Sequence, residues 1–292
     1  MKRKISKFIG IILIALTLCK TANAKIRNYT WLEKIQNSTL IVLAELTETK
    51  GSFKKINAKS GKEDIFKRYA TYKVKEVLKG SYNTQILQID YKEVNDKYEP
   101  FECRPPTFPN DNEKLVLLFL ENEKMIFEGF QGKLYLKKDN EKAYVEAFRE
   151  LTKIASIDNT NEKEKKLLKV SNSKNNILKN ISKEIIVESW EFKGQEYIPV
   201  LIEVLGDTKA ETLLRMRAVD RLSSIKIDNA LQLFSKYLYD NNQSVRTSCA
   251  KAIGESGDKR GVAILEKFIQ QERYDIAITV AKTSLKKLKE KQ

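Results

Sequence analysis

The chain has 292 residues, with 54 Lys or Arg against 39 Asp or Glu, a formal charge of +15, and no histidine at all. At 41% hydrophobic residues it can bury a core, which excludes wholesale disorder. The missing imidazole excludes Ser-His-Asp and Cys-His nucleophile systems and any His zinc site. The three cysteines, Cys19, Cys103 and Cys249, form no close-spaced metal cluster. No catalytic residue, metal site or cofactor is therefore expected, and catalysis of any kind would fall to carboxylates, Lys, Tyr or Ser.

Residues 1–24 read as an export signal. Lys2, Arg3, Lys4 and Lys7 give a positive start, residues 8–19 a mostly apolar stretch, and Ala22-Asn23-Ala24 a small-x-small cleavage site. The apolar stretch rises only ~18 Å as a helix, short of the ~30 Å hydrocarbon core, so no transmembrane anchor is expected. Cleavage after Ala24 would leave a periplasmic or secreted chain beginning at Lys25. Lipidation at Cys19 is disfavoured, because Leu18 is too large for the residue before a lipidated cysteine. Loss of residues 1–24 removes five cations and leaves +10, of which residues 25–150 hold +3 and residues 151–292 hold +7. A basic surface attracts nucleic acid, anionic lipid or acidic polysaccharide. Export makes nucleic acid the least expected of these, and solvated Lys faces are the plainest explanation of the charge.

Residues 25–155 read as a small, mostly β domain. Thr30-Trp31-Leu32-Glu33 is a capping-box pattern and opens a short helix. Residues 40–48 are a first strand. Residues 51–63 form a polar loop. Residues 68–79 alternate at Ala70, Tyr72 and Val74 as a second strand, broken by Gly80-Ser81, and residues 85–91 alternate again. Residues 92–113 hold four prolines and several acids and form a long irregular loop. The apolar run 115–120 is a central strand, followed by short strands at 125–127 and 133–137 around a turn at Gly129 and Gly132. A helical period begins at Glu141, with Tyr144, Phe148 and Leu151 on one face. The carboxylates Asp90, Glu93, Asp96, Glu99 and Glu102 fall at a strand end and in the Pro-rich loop. A solvated acidic loop is the expected outcome, with a cation-binding loop or a hydrolytic pair as alternatives. The segment Tyr72-Lys73-Val74-Lys75-Glu76-Val77-Leu78-Lys79-Gly80, the lone Cys103 and the run 113–120 resemble bacterial exported domains related to tissue inhibitors of metalloproteinases and netrin modules. That resemblance implies an OB-type barrel. It does not imply protease inhibition, since those inhibitors chelate zinc with an N-terminal cysteine and no cysteine stands between Lys25 and Cys103.

Residues 156–175 are polar and read as a linker or a poorly packed first helix. From residue 176 onward the chain reads as helical. Ile177, Leu178, Ile181, Ile185 and Ile186 share a face, and Pro199 fits a helix first turn. Shifted by 31 residues, the chain from Asp207 matches itself: Leu214-Arg215 falls on Val245-Arg246, Ala218 on Cys249, Leu222 on Ile253, Phe234 on Leu265 and Leu238 on Ile269. Such a unit buries its apolar stripe only by stacking on its neighbours, which makes an α-solenoid of residues 176–292. A third unit begins at Asp275. Gly254 and Gly257 read as punctuation that ends the first helix.

The stretch Val245-Arg246, Ala250, Ala252-Ile253-Gly254-Glu255-Ser256-Gly257-Asp258-Lys259-Arg260-Gly261-Val262 and Leu265 resembles the short HEAT-like repeats first noted in phycobilisome lyases. The resemblance implies a scaffold and carries no lyase chemistry. Arg215, Arg217, Arg221, Arg246, Lys259 and Arg260 are the candidate binding residues, a basic stripe on one face. The competing expectation is that the arginines opening each first helix pair with the acids of neighbouring turns, Asp207, Asp240 or Asp258. Cys103 and Cys249 are expected to be unpaired. The whole reads as a small OB-like β-barrel followed by a HEAT-like α-solenoid, a non-enzymatic module that binds another envelope protein. The alternatives are a binder of acidic polysaccharide or lipid head groups through the basic C-terminal half, and a carboxylate-dependent glycan hydrolase.

Overall fold

A computed structural model describes residues 29–52, 65–94, 114–121, 124–125, 133–225, 227 and 229–290. The export segment, the Pro-rich loop with Cys103 and the Gly129–Gly132 turn lie outside the described residues. Helix α1 (Trp31–Asn37) starts with the expected capping box, Thr30 and Glu33 exchanging side-chain and backbone hydrogen bonds. Six strands follow: β1 (Leu40–Ser52), β2 (Ile65–Lys79), β3 (Ile86–Val94), β4 (Leu115–Glu121), β5 (Lys124–Met125) and β6 (Lys133–Leu136). They form one antiparallel sheet in the order β3-β2-β1-β4, with β5 and β6 both pairing along the far side of β4. Three register shifts between β1 and β2 bend the long hairpin. Gly80 ends β2 at φ 80°, where a side chain would collide with the Thr39 carbonyl.

The alternation along β1 and β4 divides the sheet between two cores. Ile41, Leu43, Leu115, Leu117 and Phe119 face the helices. Leu40, Val42, Ala44, Val116, Leu118 and Leu120 face the other way, where they meet Ala70, Tyr72, Leu87 and Ile89 of β2 and β3. A strand covered on both sides has no polar face to show, which is why residues 115–120 are uniformly apolar. The barrel expectation is met only as far as an open sheet: among the described residues no ladder joins β3 to β5.

The helical half begins directly on the sheet. Helix α2 (Glu141–Ala155) buries Val145, Ala147, Phe148, Leu151 and Ile154, and Phe148 meets Trp31 of α1 and Phe119 of β4 at ring separations of 5.6 and 5.7 Å. Residues 156–175, read above as a linker or a poorly packed first helix, contain helix α3 (Thr160–Val170), capped by Asn159 and with Leu167 fully buried. Tyr197 donates a 2.6 Å hydrogen bond to Glu164 of α3, tying this helix to the units beyond it. The helices continue as α4 (Asn176–Glu188), α5 (Ile198–Gly206), α6 (Thr212–Ile225), α7 (Ala230–Tyr237), α8 (Gln243–Ser256), α9 (Gly261–Gln271) and α10 (Asp275–Glu290). The even-numbered helices pack side by side in a row, and α5, α7 and α9 cover that row.

One apolar cluster runs without a break from Leu32 in α1 through the sheet to Leu288 in α10. Each helix pair leaves an apolar stripe for the next to cover, and the sheet covers the stripe of the first. Gly257 ends α8 in the left-handed region at φ 71°. Gly254 lies inside α8, where a side chain would collide with Ser284 of α10, so it serves close helix packing rather than punctuation. Cys249 is buried and free, with burial pushing its thiol pKa upward. Because the core is continuous, the sheet and the helices are expected to unfold together. Denaturation followed by far-UV ellipticity and by Trp fluorescence should give coincident transitions, and Phe148→Ala should lower both by about 3–5 kcal/mol.

Candidate protein-docking surface

The repeat places equivalent residues at equivalent joints. Helices α6 and α8 each have 14 residues, and their arginines make the same pair of contacts. Arg215 is 3% exposed. Its Nε donates to the Leu205 carbonyl at the end of α5, and its terminal nitrogens donate to both oxygens of Asp240, beyond α7, at 3.1 and 2.5 Å. Arg246 repeats the pattern: it donates to the Asp240 carbonyl at 3.0 Å and to both oxygens of Glu272, beyond α9, at 2.6 and 2.9 Å. Each guanidinium thus joins the turn before its helix to the turn after the next one. Paired, bidentate geometry is what makes a largely buried ion pair worthwhile. Burial alone would raise the Asp240 carboxyl, but the Arg215 bonds and the Asn242 N–H hold its pKa below the ordinary value. The Arg246 bonds hold Glu272 down to about 2.

Arg221 is 1% exposed. It donates to the carbonyls of Ile186 and Ser189 at 2.6 Å, of Val187 at 3.3 Å, and of Phe192. These are the last carbonyls of α4 and the loop beyond, groups that a helix end leaves without partners. Arg217 pairs with Glu188 of α4. Arg260 is exposed and pairs with Asp258 in its own turn, and Lys259 beside it is exposed. The six candidates therefore divide: Arg215, Arg221 and Arg246 are held inside by neighbouring units, Arg217 lies at a groove wall, and Lys259 and Arg260 stand on the α8–α9 turn.

Among the described residues, three of the surface grooves lie along the stacked helices from α4 to α8. One of about 370 Å³ lies beside α4 and α6, with Glu184, Glu188, Leu213 and Arg217 on its walls. Trp31 donates a 2.7 Å bond to Glu184 there, and burial raises the pKa of both Glu184 and Glu188. A second, of about 480 Å³, is mostly apolar, between Ile198 and Ile202 of α5 and Leu233 of α7. The third, of about 710 Å³, opens between the C-terminal ends of α6 and α8, with Trp190, Asp220, Lys251 and Glu255 at its mouth. Trp190, Leu213, Tyr239 and Ile276 are large apolar residues about half exposed. Reading the charged residues of the repeat passed over Trp190 and the groove-lining carboxylates. The available signal was a tryptophan in a polar connection, Ser189-Trp190-Glu191, where no helix face needs one. Among the described residues no cluster of acids and cysteines is arranged to hold a metal, and no helix is long and apolar enough to cross a membrane.

Compared with known families, residues 198–286 match the model for HEAT repeats. No curated protein matches the chain. The helical C-terminal half is thus HEAT-like, and the match begins at α5 and spans the joints made by Arg215 and Arg246.

Two measurements check the joints. Arg221→Met removes the shared donor of several buried carbonyls, each costing about 1–3 kcal/mol when unpaired, and should lower stability by about 3 kcal/mol or more. Glu272 has a folded-state pKa of about 2 against an ordinary value of 4.5. Its contribution is therefore complete above pH 4.5 and lost as pH falls towards 2. Glu184 and Glu188, raised by burial, act with the opposite sign over the interval where they protonate. Denaturation midpoints measured across this range should fall less steeply in Glu272→Gln than in the parent.

Proposed function

We propose that the chain is a non-enzymatic docking scaffold, exported to the bacterial envelope, that binds a protein partner through the grooves of its HEAT-like half. HEAT repeats suggest a protein-interaction role, and the single observation that carries the reading is the set of grooves along that stack, two of them lined by the half-exposed Trp190 and Leu213. Stacked helical repeats offer extended surfaces of this kind, and isolated exposed apolar residues gain meaning where they border a groove. In this reading the helical region is a short solenoid, and the sheet, open among the described residues, is the strand layer of an OB-type domain with a core of its own. The export signal supports the envelope placement, with a mature chain that starts at Lys25 and carries no lipid at Cys19. The polyanion reading draws less support, because Arg215, Arg221 and Arg246 are spent on internal bonds.

The test compares the mature full chain with the same chain carrying Trp190→Glu and Leu213→Glu, both on exposed groove-lining sites, as baits for envelope extract. A partner retained by the parent and lost by the double variant, with both folded by ellipticity, is the expected result. Equal retention by the two, or none by either, would overturn the grooves as the docking surface. The mass of the exported chain should match a start at Lys25.

A further inference from the structure

The tenth residue of α6, α8 and α10 occupies one structural position in three successive joints: Arg221, Ala252 and Ser284. Arg221 and Ser284 face the even-numbered helix before them, and each joint is completed differently. Between α4 and α6 the guanidinium of Arg221 fills the space, bonded to the terminal carbonyls of α4 and 6.0 Å from the Trp190 ring centre. Between α8 and α10 the backbones close directly, Ser284 lying against Gly254. Between α6 and α8 neither device is present. The tenth residue of α8 is a short, buried alanine, and a cavity of about 710 Å³ opens between the two helices, lined by Asp220, Ser223 and Ser224 of α6 and by Lys251, Glu255 and Ser256 of α8.

The walls of this cavity suit the group that its neighbour contains. Asp220 and Glu255 supply two carboxylates, and Ser223 donates to Glu255 at 3.4 Å. The cavity sits at the carbonyl ends of α6 and α8, where a helix carries partial negative charge. Trp190, 54% exposed, offers an indole surface, and Phe234 supplies an apolar wall. A planar cation that can bond carboxylates in pairs and stack on indole is a guanidinium; an ammonium does only part of this. Lys251 holds the place loosely, 3.4 Å from Asp220 and 3.8 Å from Glu255 with half its side chain exposed. It can swing to solvent when a better-fitting cation enters. The net positive charge of the chain does not oppose this, since exposed charges beyond ~8 Å are screened at physiological salt.

We propose that the α6–α8 groove is a pocket for an arginine side chain carried by an extended segment of the partner protein, the same group that the α4–α6 joint takes from Arg221. The proposal rests on the docking reading above and gives it a chemistry.

The probe is the peptide acetyl-Ala-Arg-Ala-Ala-amide, titrated into the mature full chain with Trp fluorescence as readout and the lysine analogue as control. The expected result is a saturable change with the arginine peptide, lost in Trp190→Phe, and binding at least about fivefold weaker for the lysine peptide, the margin that one additional charge-assisted hydrogen bond gives. The double variant Asp220→Asn, Glu255→Gln should weaken arginine binding about tenfold or more. Lys251→Ala, a surface change that leaves the fold intact, should tighten it. Equal affinity for both peptides, or binding unchanged in the carboxylate variant and in Lys251→Ala, overturns the pocket. If the envelope partner is retained equally by the parent and by the carboxylate variant, the pocket falls as a dock while the scaffold reading stands. If the parent retains no partner at all, it is the scaffold reading that falls.

Discussion

Strands β1 and β4 bury both of their faces, and the rest of the molecule is arranged to satisfy that constraint. One face is enclosed by the neighbouring strands of the same sheet. The other cannot be left to water, because Ile41, Leu43, Leu117 and Phe119 project from it. Helices α1 and α2 cover it, meeting at the ring cluster of Trp31, Phe119 and Phe148. Covering the sheet commits α2 to be a member of the helical row as well, since its remaining apolar side packs on α4. The sheet therefore does for the first helix pair what a terminal capping unit does in a repeat array: it closes an apolar face that no preceding repeat would cover.

Along the row, polar groups perform the joining that a uniform apolar stripe would leave unspecified. Apolar packing alone would let neighbouring units slide; Arg215 and Arg246 fix the spacing because each must reach a carbonyl on one side and a carboxylate on the other. Lys183 and Glu203 make a similar link between α4 and α5. The charges that give the C-terminal half its basic balance are thus in part structural. A residue count sees them as surface, whereas the bonds place several of them between units.

Much of the fold was legible in the sequence, and the reasons differ by element. The capping box at Thr30 and Glu33, the alternation in β2 and the apolar run of β4 are local signals, and the chain obeys them locally. The 31-residue self-match located the repeat because the same apolar positions recur wherever units stack. The segment 160–170 left the sequence reading divided between a linker and a first helix, because its exposed face is almost all Lys and Glu, and the one residue that anchors it, Leu167, makes no periodic pattern by itself. Gly254 was taken for a helix stop because glycine near a helix end usually is one; its actual partner, Ser284, lies 30 residues away in the next unit. The grooves were illegible for a related reason. The largest described groove is assembled from Trp190 and from residues of α6, α7 and α8, and a space between units leaves no mark in a single unit read alone.

Arg221 also shows why these repeats cannot be treated as interchangeable parts. Its guanidinium belongs to one unit by sequence and to the previous unit by bonding, since all four of its carbonyl partners lie before α5. A cut between the two units would leave the end of α4 without donors and strand a cation on α6. Duplicating the later unit would instead add a further joint with alanine at the key position. Lengthening or shortening this array by whole repeats would thus change the chemistry of its joints along with its length, and the order of the units is itself information that the fold needs.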